Sequence, residues 1–193
     1  MRPLICSLVV LALATLAPSA SAQETVSDSS WYQPGYEMSG EGTELVAVYF
    51  GGSTCGWCYT DEAREAVRAA VLALQDRARA EGKAFAYVGV ANDWDIEVGL
   101  DFLKASGPFD EIIVGRNWYN HAAAPHLFMN PDAIPALPTV VVYEQDVTSG
   151  DRGLVFSGER YLAAVSGGPA LAEWAADGAP LPHVAPEMGP GAR

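Results

Sequence analysis

The most constraining feature of this sequence is one passage of about forty residues. Leu45-Val46-Ala47-Val48-Tyr49-Phe50 is a continuous apolar run, the pattern of a strand covered on both faces. Gly51-Gly52-Ser53-Thr54 breaks it. From about Cys55 to Ala80, Ala63, Val67, Ala70, Val71, Leu74 and Ala78 recur at helical spacing, with Arg64, Glu65, Arg68, Asp76 and Arg77 on the other face. Gly82 is a natural helix stop. A buried strand that feeds a long amphipathic helix restricts the chain to an α/β architecture. At the junction stands Cys55-Gly56-Trp57-Cys58.

The rest of the chain fills in that architecture. Phe85–Val90 reads as a second buried strand, Asn92-Asp93 as a turn, Ile96–Ala105 as a short helix and Phe109–Gly115 as a further strand. Asn117–Met129 has helical character interrupted by Pro125. Pro131, Pro135 and Pro138 lead into the strong strand Thr139–Tyr143. Gln145–Gly153 is turn material, Leu154–Phe156 a short partner strand and Pro169–Ala176 a closing helix. The order predicts a three-layer α/β domain with a mixed sheet. No internal repeat is present.

The termini read differently. Arg2, the apolar stretch from Leu4 to Ala17 and Ala20-Ser21-Ala22 have the form of a secretory signal peptide over 1–22. The stretch is shorter than the roughly 20 residues of a membrane-spanning helix. Cys6 lies too early to be a lipid-attachment cysteine. Residues 23–44 form a polar leader, docked loosely at most, and 45–177 the domain. The Pro- and Gly-rich 178–193 is an expected disordered tail.

Composition excludes several function classes. The 193 residues hold 24 Asp and Glu against 11 Lys and Arg, a net charge of −13. Nucleic acid is therefore not an expected partner, nor is an anionic lipid surface. Of three cysteines, signal cleavage would leave Cys55 and Cys58. As a staple their disulfide is poor, since so short a loop gives only about 2 kcal/mol in the chain-entropy model. Zinc needs four ligands; His121, His126 and His183 are badly placed to supply the rest, and no metal site is expected.

A pair that opens and closes is the better reading. Near a helix N-terminus Cys55 would gain thiolate character, against a free thiol that ionises at about pH 8.5. Cys58, one turn deeper, would resolve a mixed disulfide.

The strand, the Cys55-Gly56-Trp57-Cys58 motif, its helix and Leu137-Pro138-Thr139 ahead of a Val-rich strand together resemble the thioredoxin superfamily. The resemblance spans roughly Leu45–Ala176. It implies a central mixed sheet flanked by helices, with an insertion before a cis-proline loop at Pro138. It also implies exchange of disulfides with cysteine-containing proteins, Cys55 as nucleophile and Cys58 as resolving thiol. Trp57, Leu137 and Pro138 would contact substrate, Leu137 through strand addition. No cofactor is required, and the redox partner would be a membrane-bound donor or acceptor. The expected compartment is the periplasm, with secretion to the exterior the other possibility.

Three departures from the family pattern stand out. Tyr49 occupies the strand position where many thioredoxins carry a buried acid. The motif holds Gly-Trp where strong oxidants often hold a histidine. Residues 92–136 exceed what the simplest members need, and Trp118, Tyr119, His121 and His126 within them read as packing more readily than as a substrate surface. Reductase, oxidase and isomerase remain open, as do a Cu(I)-handling protein and a binding module in which the cysteines are incidental.

Overall fold

The computed structural model describes residues 31–32 and 41–182. The expected signal peptide, most of the leader, His183 and most of the tail lie outside the described residues. No helix among the described residues is long and apolar enough to cross a membrane.

Five strands form one sheet in the order β3-β2-β1-β4-β5. They are β1 (Gly42–Gly51), β2 (Ala84–Ala91), β3 (Glu111–Ile113), β4 (Thr139–Gly150) and β5 (Gly153–Ser166). β1, β2 and β3 run parallel, while β4 is antiparallel to both β1 and β5. This is the mixed sheet the element order implies. The helices are α1 (Asp61–Ala80), α2 (Ile96–Ser106) and α3 (Gly168–Ala176).

Alternation along β1 decides which side each layer covers. Leu45, Ala47 and Tyr49 pack with Val67, Val71 and Leu74 of α1, Phe102 of α2 and Leu171 of α3. Val46, Val48 and Phe50 point the other way, against Ala122, Ala123 and Leu127. The two faces are closed by different means. One has three regular helices. The other has a 3-10 turn at Asn117–Tyr119 and a single π turn at Ala124–Phe128, begun around Pro125. The insertion 92–136 thus supplies α2, the edge strand β3 and this second cover.

Several elements differ from the reading of the sequence. The helix expected from Cys55 starts at Asp61. Thr60 is extended (ψ 147°) and its Oγ1 accepts from the Ala63 N–H at 3.1 Å, a hydroxyl cap with Asp61 and Glu62 in the first turn. Only a three-residue 3-10 turn, Trp57–Tyr59, lies between the two. The expected turn at Gln145–Gly153 is mostly strand. β4 continues to Gly150, and β5 is 14 residues long where only Leu154–Phe156 was expected. Register shifts at Val142/Tyr143 and Glu144/Asp146 bend this hairpin.

The flanks are tied more firmly than expected. Tyr32 is buried, its hydroxyl donating to Asp110, and Trp31 lies beneath the Arg68 guanidinium at 5.7 Å. Ala179 and Leu181 are buried against the core, with the Trp174 indole donating to the Pro180 carbonyl at 3.1 Å.

Candidate redox site

The site sits where β1 ends. Gly51 has no space for a side chain: a Cβ there would stand 2.6 Å from the Phe102 ring and 2.7 Å from the Tyr49 hydroxyl. The chain then turns through Gly52–Cys55, closed by the Cys55 N–H donating to the Gly52 carbonyl at 3.1 Å. Asp93, just beyond β2, holds this turn. Its carboxylate accepts from the Ser53 N–H at 3.1 and 3.3 Å and from the Ser53 hydroxyl. Asp93 is buried.

Cys55 and Cys58 are joined in a disulfide with S–S 2.06 Å. The two cysteines are unequally exposed. Cys58 is 1% exposed and packs with the α1 core, whereas Cys55 is only partly buried. The Cys58 N–H also donates to Cys55 Sγ at 3.2 Å. The α1 N-terminus therefore does not act on Cys55 in the way its expected position implied: its cap is at Thr60, and its first turn carries two acids. The local donor to Cys55 is the Cys58 amide.

Trp57, Leu137 and Pro138 all lie around this loop. The Leu137–Pro138 peptide bond is cis. A Cβ on Gly52 would meet Leu137 Cδ1 at 3.4 Å, and the Gly167 N–H donates to the Pro138 carbonyl at 2.8 Å. Thr139 Oγ1 donates to the Ala136 carbonyl at 2.8 Å and lies 2.9 Å from Ser166 Oγ, which reaches the Ile134 carbonyl at 3.0 Å. The Trp57 ring rests on Gly168, the first residue of α3, where any Cβ would fall inside the indole. Four separate segments thus meet at the loop that carries the disulfide.

The fold around this site is α/β, a mixed five-stranded sheet flanked by helices. No protein-family model matches the chain, and no curated protein matches it. One solved structure that it resembles is a thiol:disulfide interchange protein of the thioredoxin family from Chlorobium tepidum TLS. The likeness has 15% identity and a TM-score of 0.31, over 61% of this chain and 68% of that one.

The remaining candidate residues are elsewhere. His121 and His126 border a cavity of about 200 Å³ on the face of the sheet opposite α1, beside Val48, Glu111 and Tyr143. His126 is buried and stacks on Tyr143, with Nδ1 3.1 Å from the Tyr161 hydroxyl. Burial pushes its pKa below the ordinary histidine value, against the pull of Glu159. Trp118 is half-buried; Tyr119 is exposed and lies 6.0 Å from exposed Trp94. Among the described residues, no three His, Cys, Asp or Glu side chains are grouped to hold a metal ion.

Tyr49 is buried in the α1 core between Phe102 and Phe109, and burial raises its hydroxyl pKa far above the ordinary value. Ser53, Asp93 and Gly168 were missed as site residues. Asp93 reads as turn material unless β2 is paired with β1. The Asn92 N–H donates to the Gly51 carbonyl at 2.8 Å, and that bond brings the next residue under the loop.

Proposed function

We propose that this chain is an exported thiol–disulfide oxidoreductase that exchanges disulfides with cysteine-containing proteins through Cys55 and Cys58. The observation that carries this reading is the unequal exposure of the two bonded cysteines. Exchange needs one sulfur a partner can reach and one the partner cannot. Cys55 is the reachable sulfur and forms the mixed disulfide. Cys58, buried behind it, attacks Cys55 Sγ from within and releases the partner. Trp57, Leu137 and Pro138 form the substrate-facing rim, with the backbone at Leu137 available to an extended segment beside Cys55. The chemistry is carried by the two thiols and needs no prosthetic group.

Export rests on the form of residues 1–22, a basic start, a short apolar stretch and a small-x-small site. A periplasmic location supplies an oxidising setting in which such a pair has work. N-terminal sequencing of protein recovered from the envelope fraction is expected to begin at Gln23.

The role assignment is tested by trapping. Cys58→Ser is expected to accumulate mixed disulfides with other proteins, which dissolve on addition of a reductant. Cys55→Ser is expected to accumulate none. Equal trapping by both variants would overturn the division of labour.

A further inference from the structure

We infer that Asp93 is a positioning residue that keeps the Cys55–Cys58 pair reducing, so that the pair donates electrons to substrate disulfides. This deepens the oxidoreductase reading above, on which it rests, by giving the exchange a direction.

In the redox cycle of such a pair the disulfide and the thiol are neutral, and the Cys55 thiolate is the charged species. A fixed negative charge nearby disfavours the thiolate, raises the thiol pKa and makes Cys55 a poorer leaving group. Strong oxidants of this chemistry do the reverse, stabilising the thiolate and hence the reduced form.

The segments that meet at the disulfide carry charge of one sign. Residues 42–63, 84–103, 127–151 and 161–182 contain no Lys, Arg or His at all. They do contain Asp93, Asp95, Glu97, Asp61, Glu62 and Asp132. The nearest cation along the chain, Arg64, has Nη1 3.7 Å from exposed Asp61, and its charge also acts on the buried Tyr49 hydroxyl. Arg116, next to the Asn117 N–H that donates to the Asp93 carbonyl, turns its guanidinium toward His121 at 3.4 Å. No basic group offsets the motif from within it.

Among these acids Asp93 is distinguished by burial and by contact. It is 5% exposed, and its described side-chain partners are the amide and hydroxyl of Ser53, both neutral donors. Ser53 is two residues from Cys55, at most about 7 Å of chain. A buried charge is screened far less by salt than the exposed acids around it. With the Asp93–Ser53 hydrogen bond added to that span, at about 10 Å, unit charges move an ionisation by between about twofold in water and fifteenfold in a protein-like medium.

The reaction then runs as follows. The Cys55 thiolate attacks one sulfur of a substrate disulfide. A Cys55–substrate S–S bond forms, the substrate's own S–S bond breaks, and its second sulfur leaves as a thiolate and takes up a proton. Cys58 loses its proton and attacks Cys55 Sγ. The Cys55–Cys58 bond forms and the first substrate sulfur departs as a thiol. Two electrons pass from the protein to the substrate, and a dithiol donor of lower potential restores the pair.

The test uses the full mature protein, Asp93→Asn and Ser53→Ala. Asn keeps an acceptor oxygen for Ser53 and removes the charge, while Ser53→Ala keeps the charge and removes one bond to it. In reduced Asp93→Asn, the pH profile of Cys55 alkylation by iodoacetamide is expected to show an acid dissociation constant about tenfold larger than wild type. Equilibration with glutathione buffers should shift toward the reduced pair. Ser53→Ala is expected to move either readout by less than about twofold or in the opposite direction, since its carboxylate is left less neutralised. An unchanged profile in Asp93→Asn, or the same shift in Ser53→Ala, overturns the role of Asp93. So does a wild-type pair that glutathione reduces as readily as it reduces a strong oxidant. A wild-type pair that never equilibrates with glutathione overturns the oxidoreductase reading itself.

Discussion

Among the described residues, Asp93 and Glu144 are the buried carboxylates, and they stand at opposite ends of the sheet. Glu144 of β4 lies opposite Leu45, near the start of β1. Lys83 and Arg160 both reach it, and Glu81 extends the network through Lys83. Asp93, at the end where β1 leads into the redox loop, has bonds from one serine. One end of the sheet neutralises its buried charge with two cations. The other leaves its charge to one serine, two residues before Cys55. The first arrangement serves stability, since an ion pair with both partners in place returns part of what desolvation costs. The second forgoes that return.

The largest expected effect tests the stabilising end. Glu144→Gln strands two cations, one of them half-exposed, and should lower stability by about 2–3 kcal/mol. Thermal unfolding should then begin some 5–10 °C earlier, roughly. The effect should depend on pH. Burial acts to raise the Glu144 pKa, but the bonds to Lys83 and Arg160 outweigh it and hold the group below the ordinary carboxylate value. Its contribution is complete above the unfolded value of about 4.3 and is lost as pH falls through the lower folded value. Wild type and Glu144→Gln should therefore converge in acid; a gap that stays constant down to pH 2 would show that charge is not what Glu144 contributes.

Next comes Gly168→Ala at the redox end. Its methyl must displace the Trp57 ring, an overpacking of about 1–3 kcal/mol that should also change indole fluorescence. The same substitution in a Trp57→Ala background should cost almost nothing. An equal cost in both backgrounds would place the defect in α3 rather than in the contact.

Asp93→Asn is expected to be milder, below about 1 kcal/mol, because the amide oxygen still accepts from Ser53. A loss as large as that of Glu144→Gln would erase the distinction between the two ends. The smallest effect concerns His126. Its depressed pKa means that the unfolded chain binds a proton more readily than the folded one, so stability should decline as pH falls below about 6.5. His126→Phe should flatten that part of the stability profile. A slope that survives the substitution must come from another group.

Much of this site is legible in the sequence because its parts are local. Six apolar residues in a row, a glycine break and two cysteines three apart lie within a short stretch, and each follows from backbone chemistry. The helix start is less legible because two signals compete. The cysteines suggest the terminus by analogy, but Thr60-Asp61-Glu62 is the better cap, and hydrogen bonding follows the cap. The hairpin misleads for another reason. Asp146, Thr148, Ser149 and Gly150 have turn-like chemistry, yet pairing with Thr43 and Gly42 of β1 and with β5 keeps Asp146 and Val147 extended. Asp93 and Gly168 depend on strand order and on a helix packing over a distant loop. No spacing along the chain contains that information.

The bent hairpin also governs how the molecule meets its own kind. The two margins of the sheet are unequal: β3 offers three residues, β5 fourteen. A long margin is an invitation to pair with another chain, more so with Leu154, Val155 and Phe156 exposed along it. Two register shifts, a left-handed glycine at Gly158 and the adjacent Glu159 and Arg160 interrupt that margin before it reaches the body of the domain. Straightening it, for example with Gly158→Val, would hand a neighbouring molecule an unbroken template and turn this margin into a seed for aggregation.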